Sequence, residues 1–196
     1  MKKGLALFDF DGTITTHDTL FEIIKFQKGE FRFWTGMLVL SPMLLLMKAG
    51  LIENARAKEI TLQHFFKGLS IAEFAQKCND FTLQALPKLM RPEALAKIKH
   101  HQQNNDRIII VSASAVDWIE PWSKTKNIEL LASRLEKKDG RITGKLESLN
   151  CNGPEKVNRI KAHLNLDEYS PIYAYGDSSG DREMLQLADY PFLRKF

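Results

Sequence analysis

Cysteine is almost absent from this chain, and so is any segment of biased composition. Among 196 residues only Cys78 and Cys151 carry thiols, with no CxxC pair and no histidine at zinc-site intervals. A disulfide scaffold and a cysteine-built metal centre are thereby excluded. Free thiols in a reducing cytoplasm are expected, a single disulfide being the alternative. There are no internal repeats, no low-complexity tracts and no long block of like charge. The 28 lysines and arginines are dispersed among 24 acids, for a net charge of +4. Without a basic block no nucleic-acid partner is expected, and a small anionic ligand is enough to account for the sign. Lys2 and Lys3 precede an apolar run, but Asp9 and Asp11 interrupt it, which argues against a signal peptide and for a cytoplasmic protein. The length admits one well-buried domain, or one domain with a sizeable insertion.

What the chain does have is a series of short apolar runs that end in chemically capable residues. Leu5-Ala6-Leu7-Phe8 closes in Asp9-Phe10-Asp11-Gly12-Thr13. A continuous apolar run bounded by turn signals reads as a buried strand. A bend through Gly12 would spread the two acids around one small space, and crowded carboxylates resist joint ionisation unless a cation or shared proton compensates. Acids that merely cap a turn are the plain alternative. Further along, Arg107-Ile108-Ile109-Ile110-Val111 ends in Ser112, and Gly153-Pro154-Glu155-Lys156 opens a helix. Ile172-Tyr173-Ala174-Tyr175-Gly176 then closes in Asp177 and Asp181.

Taken in order, these four elements resemble the motifs of the haloacid dehalogenase (HAD) superfamily, in its subfamily IB, phosphoserine-phosphatase-like branch. The resemblance implies a doubly wound parallel α/β sheet with an inserted helical cap of the C1 type. It also implies a magnesium-dependent phosphatase acting on a small phosphorylated metabolite through an aspartyl-phosphate. Asp9 is then the nucleophile and Asp11 the acid and base, with Asp9, the carbonyl of Asp11, and Asp177 holding Mg²⁺. Asp181 supports a metal-bound water or Lys156. Gly12, Thr13, Ser112, Ala113 and Lys156 bind the phosphoryl group, and Asp18 and Arg56 fall near the positions where this branch reads its substrate from the cap. Phosphoserine is one substrate this implies; a lipid phosphate of the phosphatidylglycerophosphate type is the alternative, suggested by the basic charge and an apolar cap. A non-catalytic phospholigand-binding protein is the rival from another class. Asp18 and Ser114 both have a structural alternative, as helix caps.

The rest of the sequence fits that architecture. The gap between the first strand and Arg107 is too long for a loop and reads as helices over 18–28, 54–66, 71–86 and 92–104. Ser70 with Glu73 forms a capping-box pattern. The expected division is a core of residues 1–15 and 91–196 around a cap of residues 16–90. After Ser112 come a helix over 116–126, a strand over 129–132, a hairpin turning at Asp139-Gly140, a helix over 154–164 and an edge strand over 190–193. Trp34–Met47 is strongly apolar, with Pro42 in its middle. It is expected to be a buried pair of cap helices. A homodimer surface is the second reading and membrane-surface contact the third; stable insertion is not expected, because a span needs about 20 apolar residues.

Overall fold

The computed structural model describes residues 2–196. The chain enters through β1 (Lys3–Phe8) and leaves the sheet for four helices, α1 (Thr19–Lys28), α2 (Glu30–Lys48), α3 (Asn54–Phe66) and α4 (Ile71–Gln84). It returns through α5 (Pro92–Gln103) to β2 (Arg107–Ala115), α6 (Val116–Thr125) and β3 (Glu129–Ser133). A hairpin of β4 (Leu135–Lys138) and β5 (Arg141–Leu146) follows, then α7 (Pro154–His163), β6 (Tyr169–Gly176), α8 (Arg182–Leu185) and β7 (Tyr190–Leu193).

The main sheet has five strands in the order β3-β2-β1-β6-β7, every pair parallel. Alternation along β1 sorts its side chains to two faces. Ala6 and Phe8 join the larger core with Ile108, Ile110, Trp118 and Tyr175. Leu5 and Leu7 join a second core with Ile109, Val111, Ile160 and Met184. Both faces are thus covered, which is why these strands read as unbroken apolar runs. The chain winds from β1 outward to β3 and then crosses to β6, on the other side of β1. The order therefore reverses between β1 and β6, and ligands in open α/β sheets bind at such a reversal. Proline in β7 is tolerated because that strand lies at the edge.

Helices α1–α4 are joined to the sheet by two segments lying side by side. Thr16 N donates to Leu89 O at 2.8 Å and Arg91 N to Ile14 O at 2.8 Å, with a bridge between Thr15 and Met90. Ser70 caps α4, its hydroxyl accepting from Glu73 N at 3.1 Å. The Glu73 side chain bonds Lys77 instead of closing the box. Asp139 (φ 50°) and Gly140 (φ 73°) make the left-handed pair that a tight hairpin turn needs. The hairpin docks on the helices rather than on the sheet: Gly68 N donates to Ile142 O (2.8 Å), and Ile142 N to Leu69 O (2.9 Å). At Gly144 (φ +78°) a Cβ would lie 2.5 Å from Gln63 Cα, so β5 and α3 meet backbone to backbone.

One expectation fails here. Trp34–Met47 is not a helix pair and is not buried; it is the greater part of one helix, α2, which runs through Pro42. Proline at 42 removes the N–H that would bond the carbonyl four residues back, at Leu38. Ser41 Oγ donates to that same carbonyl at 2.7 Å and so satisfies it. Of α2, only Phe33, Gly36 and Leu40 are buried.

Ser70→Ala should lower stability by about 1 kcal/mol and Gly144→Ala by about 2 kcal/mol or more. Both should be read as a lower urea midpoint at constant slope. Tolerance of alanine at 144 would mean that the hairpin is not held against α3.

Candidate active site

Crowding at the end of β1 begins with a backbone device. Asp9 N still donates to Tyr175 O at 2.9 Å, as though the strand continued. The chain then coils, with Ile14 N and Thr15 N both returning to Phe10 O. Gly12 sits in the turn at φ +75°, where a Cβ would fall 2.3 Å from Asp177 Oδ2. Only glycine combines that dihedral with that proximity. The loops after β1 and β6 therefore touch.

Lys156, on the first turn of α7, is fully buried between them. Its Nζ donates to Asp9 Oδ1 and to Asp181 Oδ1, each at 2.6 Å. Burial alone would lower its pKa, but the two carboxylates outweigh burial and raise it, so this lysine stays charged. The second oxygen of Asp181 accepts from Asp177 N (3.1 Å), Ser178 N (3.1 Å) and Ser178 Oγ (3.0 Å). Burial acts to raise Asp181, yet Lys156 and the Ser178 bonds hold it below the usual carboxylate range. Asp9 goes the other way. Burial, helped by Asp181 and Asp11, pushes it up to about 7 against the pull of Lys156. Asp177 is also raised, by burial and then by Asp181. Asp9, Asp177 and Asp181 each offer an oxygen within 4.8 Å of the others. Three carboxylates against one ammonium leave two negative charges, and a divalent cation with oxygen preference fits that donor set.

The remaining candidate residues divide. Asp11 turns its carboxylate toward the first turn of α1, where Oδ1 accepts from Thr19 N (2.7 Å) and Thr19 Oγ1 (2.6 Å). Thr13 Oγ1 donates to Asp9 Oδ2 at 3.3 Å. Ser112 is fully buried and its Oγ accepts from Ser114 N at 3.0 Å, while Ala113 and Ser114 line the cavity beside it. Ser114 does not cap α6, which has no side-chain cap; its hydroxyl meets Thr19 Oγ1 at 3.2 Å. Asp18 caps α1 through Leu20 N (2.8 Å) and also lines the cavity.

Arg56 requires a correction. It lies outside the cavity, exposed on α3 and paired with Glu59 at 3.4 Å. The cation that α3 turns inward is Lys58, which donates to Ala113 O and to Asn150 Oδ1. Helical spacing groups it with Asn54, Ala57 and Thr61 at i, i+3, i+4 and i+7, and all four line the cavity, but spacing alone does not say that this face turns inward. Trp118, whose Nε1 donates to Thr19 Oγ1 at 3.0 Å, had no such signal, since it lies 99 residues away in sequence.

Asp9, Asp11, Asp177 and Asp181 open onto a cavity of about 560 Å³, whose lining does not include Lys156, Ser112 or Thr13. The acids form its floor, and Leu20, Phe21, Leu44 and Met47 give it an apolar wall. Residues 6–186 match the family model described as haloacid dehalogenase-like hydrolase. The chain belongs to that family. It is 34% identical to Protein CicA of Caulobacter vibrioides over 98% of this chain and 86% of the relative. It is 24% identical to an inhibition of morphological differentiation protein of Streptomyces azureus, over 97% of this chain and 71% of that one. In fold it is similar to a protein of unknown function from Bordetella pertussis Tohama I (TM-score 0.82, 22% identity, 96% of this chain and 88% of that one). A substrate-bound phosphoserine phosphatase superposes with a TM-score of 0.63 at 22% identity, over 96% and 84% of the two chains. In this hydrolase the acids gathered at the strand reversal are thus the place to look for chemistry.

Lys156→Met should cost about 3–5 kcal/mol in urea unfolding with EDTA present, because it strands buried carboxylates. The loss should grow with pH, because without the ammonium Asp9 and Asp181 lose the group that favours their ionised forms. Native Asp9 keeps its proton up to about 7, whereas an unfolded aspartate releases it near 3.8. The native state therefore binds more protons across that window, and this group's contribution to stability falls as pH rises through it. A loss that shrinks with pH would contradict the proposed crowding.

Proposed function

We propose that the protein is a magnesium-dependent phosphomonoesterase that works through an aspartyl-phosphate on Asp9. The observation that carries this reading is the buried Lys156 clamped between Asp9 and Asp181, with Asp177 beside them, the three acids lining the cavity. Asp9, the main-chain carbonyl of Asp11, and Asp177 would hold Mg²⁺, with Asp181 in support. Bound there, the ion supplies charge neutralisation between the carboxylates and the phosphoryl oxygens.

The chain's own groups account for the rest. Asp9 attacks phosphorus, splitting one hard displacement into two easier ones. Asp11 protonates the leaving oxygen and later takes a proton from the attacking water. Thr19 fixes that carboxyl from the helical insertion through its two hydrogen bonds. Ser112 accepts from Ser114 N, so its own proton is free to bind a phosphoryl oxygen, beside main-chain amides near Gly12, Thr13 and Ala113. Lys156 keeps its charge throughout and balances the phosphoryl group as it is transferred. The helices between β1 and β2 act as a cap that excludes water.

Phosphoserine is a substrate small enough for the cavity, but the carboxylate partner expected in Arg56 is turned away from it. The apolar wall would have nothing to contact in so polar a molecule.

Purified protein should hydrolyse an aryl phosphate with Mg²⁺ and stop with EDTA, and Asp9→Asn should cut turnover about 10³-fold or more with an unchanged circular dichroism spectrum. Activity in the Asp9→Asn variant would dismiss the covalent route. Asp11→Asn should harm alkyl phosphates more than aryl ones in the first step, since a good leaving group needs little protonation. Equal losses on both would remove Asp11 from the acid role.

A further inference from the structure

Helix α2 has no polar side, and only one of its sides is covered. Phe33, Gly36 and Leu40 pack inward, while Phe31 (80% exposed), Leu38 (74%), Leu45 (68%) and Trp34 (63%) lie open on the other side. A helix apolar all round is ordinarily enclosed in a core or in lipid. By length and composition α2 is apolar enough to enter a membrane (19 residues, mean hydropathy 1.2). Its inner side, however, is occupied by the rest of the insertion, which favours lying in a surface over crossing it.

Two further observations give that exposed side a direction. A groove of about 390 Å³ runs beside α2, lined by Lys28, Arg32 and His64 together with Val39 and Phe65. Lys28 and Arg32 bring positive charge there; burial lowers the pKa of Lys28, Lys77 and Arg32 add to the effect, and Glu73, which pairs with Lys77, opposes it. Lys28, Arg32 and Lys48 stand along or next to α2 against a single acid, Glu30. The second observation is that Leu44 and Met47, on the C-terminal half of the same helix, form the apolar wall of the active-site cavity with Leu20 and Phe21. The apolar surface therefore continues from the outside of the molecule into the site.

We propose that α2 docks on an anionic lipid surface, outer side chains in the acyl boundary and Lys28 and Arg32 among the headgroups, and that the substrate is an amphiphilic phosphomonoester taken from that surface. The phosphate reaches Asp9 while the apolar part lies against Leu44, Met47, Leu20 and Phe21. The substrate half rests on the phosphatase reading; the docking half does not. A second copy of the chain would cover the same apolar face. An isologous contact, though, would gather the lysines and arginines of both copies along one seam, whereas an anionic surface complements them.

The test is flotation of the full chain with phosphatidylcholine vesicles made with and without phosphatidylglycerol, alongside hydrolysis of phosphatidic acid carried in the same vesicles. The protein should float with the anionic vesicles and be released by salt. Leu38→Glu with Leu45→Glu should reduce binding tenfold or more, and with it turnover of vesicle-borne phosphatidic acid, while sparing Mg²⁺-dependent hydrolysis of a soluble aryl phosphate. Arg32→Gln should weaken binding about fivefold. Absence of flotation overturns the docking, as does a dimer on size exclusion that the Leu38/Leu45 variant converts to a monomer. Flotation with no hydrolysis of any phosphate ester by the wild type overturns the substrate half and the phosphatase reading together, and leaves the docking supported.

Discussion

Carboxylates repel, and this fold drives three of them into one place. Asp9, Asp177 and Asp181 are delivered by the segments that follow β1 and β6, where the sheet order reverses. Lys156 makes the arrangement tolerable. Its ammonium bridges two of the acids at 2.6 Å and is itself buried, so neither partner can be removed without leaving an uncompensated charge in a low dielectric. The bridge is incomplete, however, because one positive charge faces three negative ones. Burial first, and the neighbouring acids after it, hold Asp9 and Asp177 above the usual carboxylate range. A site that remains electrostatically unsatisfied in isolation has free energy available for binding a cation, and through it an anion.

The helical insertion is tied into this imbalance through a chain of hydrogen bonds rather than through contact alone. Asp11 accepts twice from Thr19, and Thr19 Oγ1 in turn meets Trp118 Nε1 and Ser114 Oγ. Lys58 makes a second tie, from α3 to the carbonyl of Ala113 and to Asn150. Burial lowers the pKa of Lys58 while Asp18 and Asp11 act to raise it, so its charge is balanced chiefly by acids of the site and its rim. Lifting the insertion would break both ties and rehydrate Lys58 and Asp11 together. Both ties couple the placement of α1 and α3 to the electrostatics of the acids.

Much of this was legible from residues 5–13, 107–112 and 172–181, because buried parallel strands must be apolar along their whole length and must end where polar groups can face solvent. The hairpin turn at Asp139-Gly140 was equally plain, since few pairs accept two positive φ values. The insertion was less legible for a specific reason. Helix positions can be read from spacing, but which stripe of α3 faces inward depends on what packs against it, and β5 does so through Gly144. Hence Arg56 was named as the cap's cation, and Lys58, two residues away on the same helix, was not. Trp118 was beyond reach, because its bond to Thr19 joins segments that only the fold brings together.

Helix α2 shows the same limit from the opposite side. Apolar composition says that a segment avoids water, not what shields it, and in a chain of mixed composition the default shield is its own core. Here the core shields one side only, and Ser41 keeps the helix continuous through Pro42 by satisfying the carbonyl that proline frees. A buried helix pair would have broken at that proline and turned both halves inward. An unbroken rod cannot do so: with Phe33, Gly36 and Leu40 committed to the inside, Phe31, Leu38 and Leu45 are forced out by geometry. The exposed face is thus a consequence of a continuous helix lying on a small insertion, and the same rod brings Leu44 and Met47 to the cavity wall. Whatever covers the outer face is placed next to the site by that rigidity.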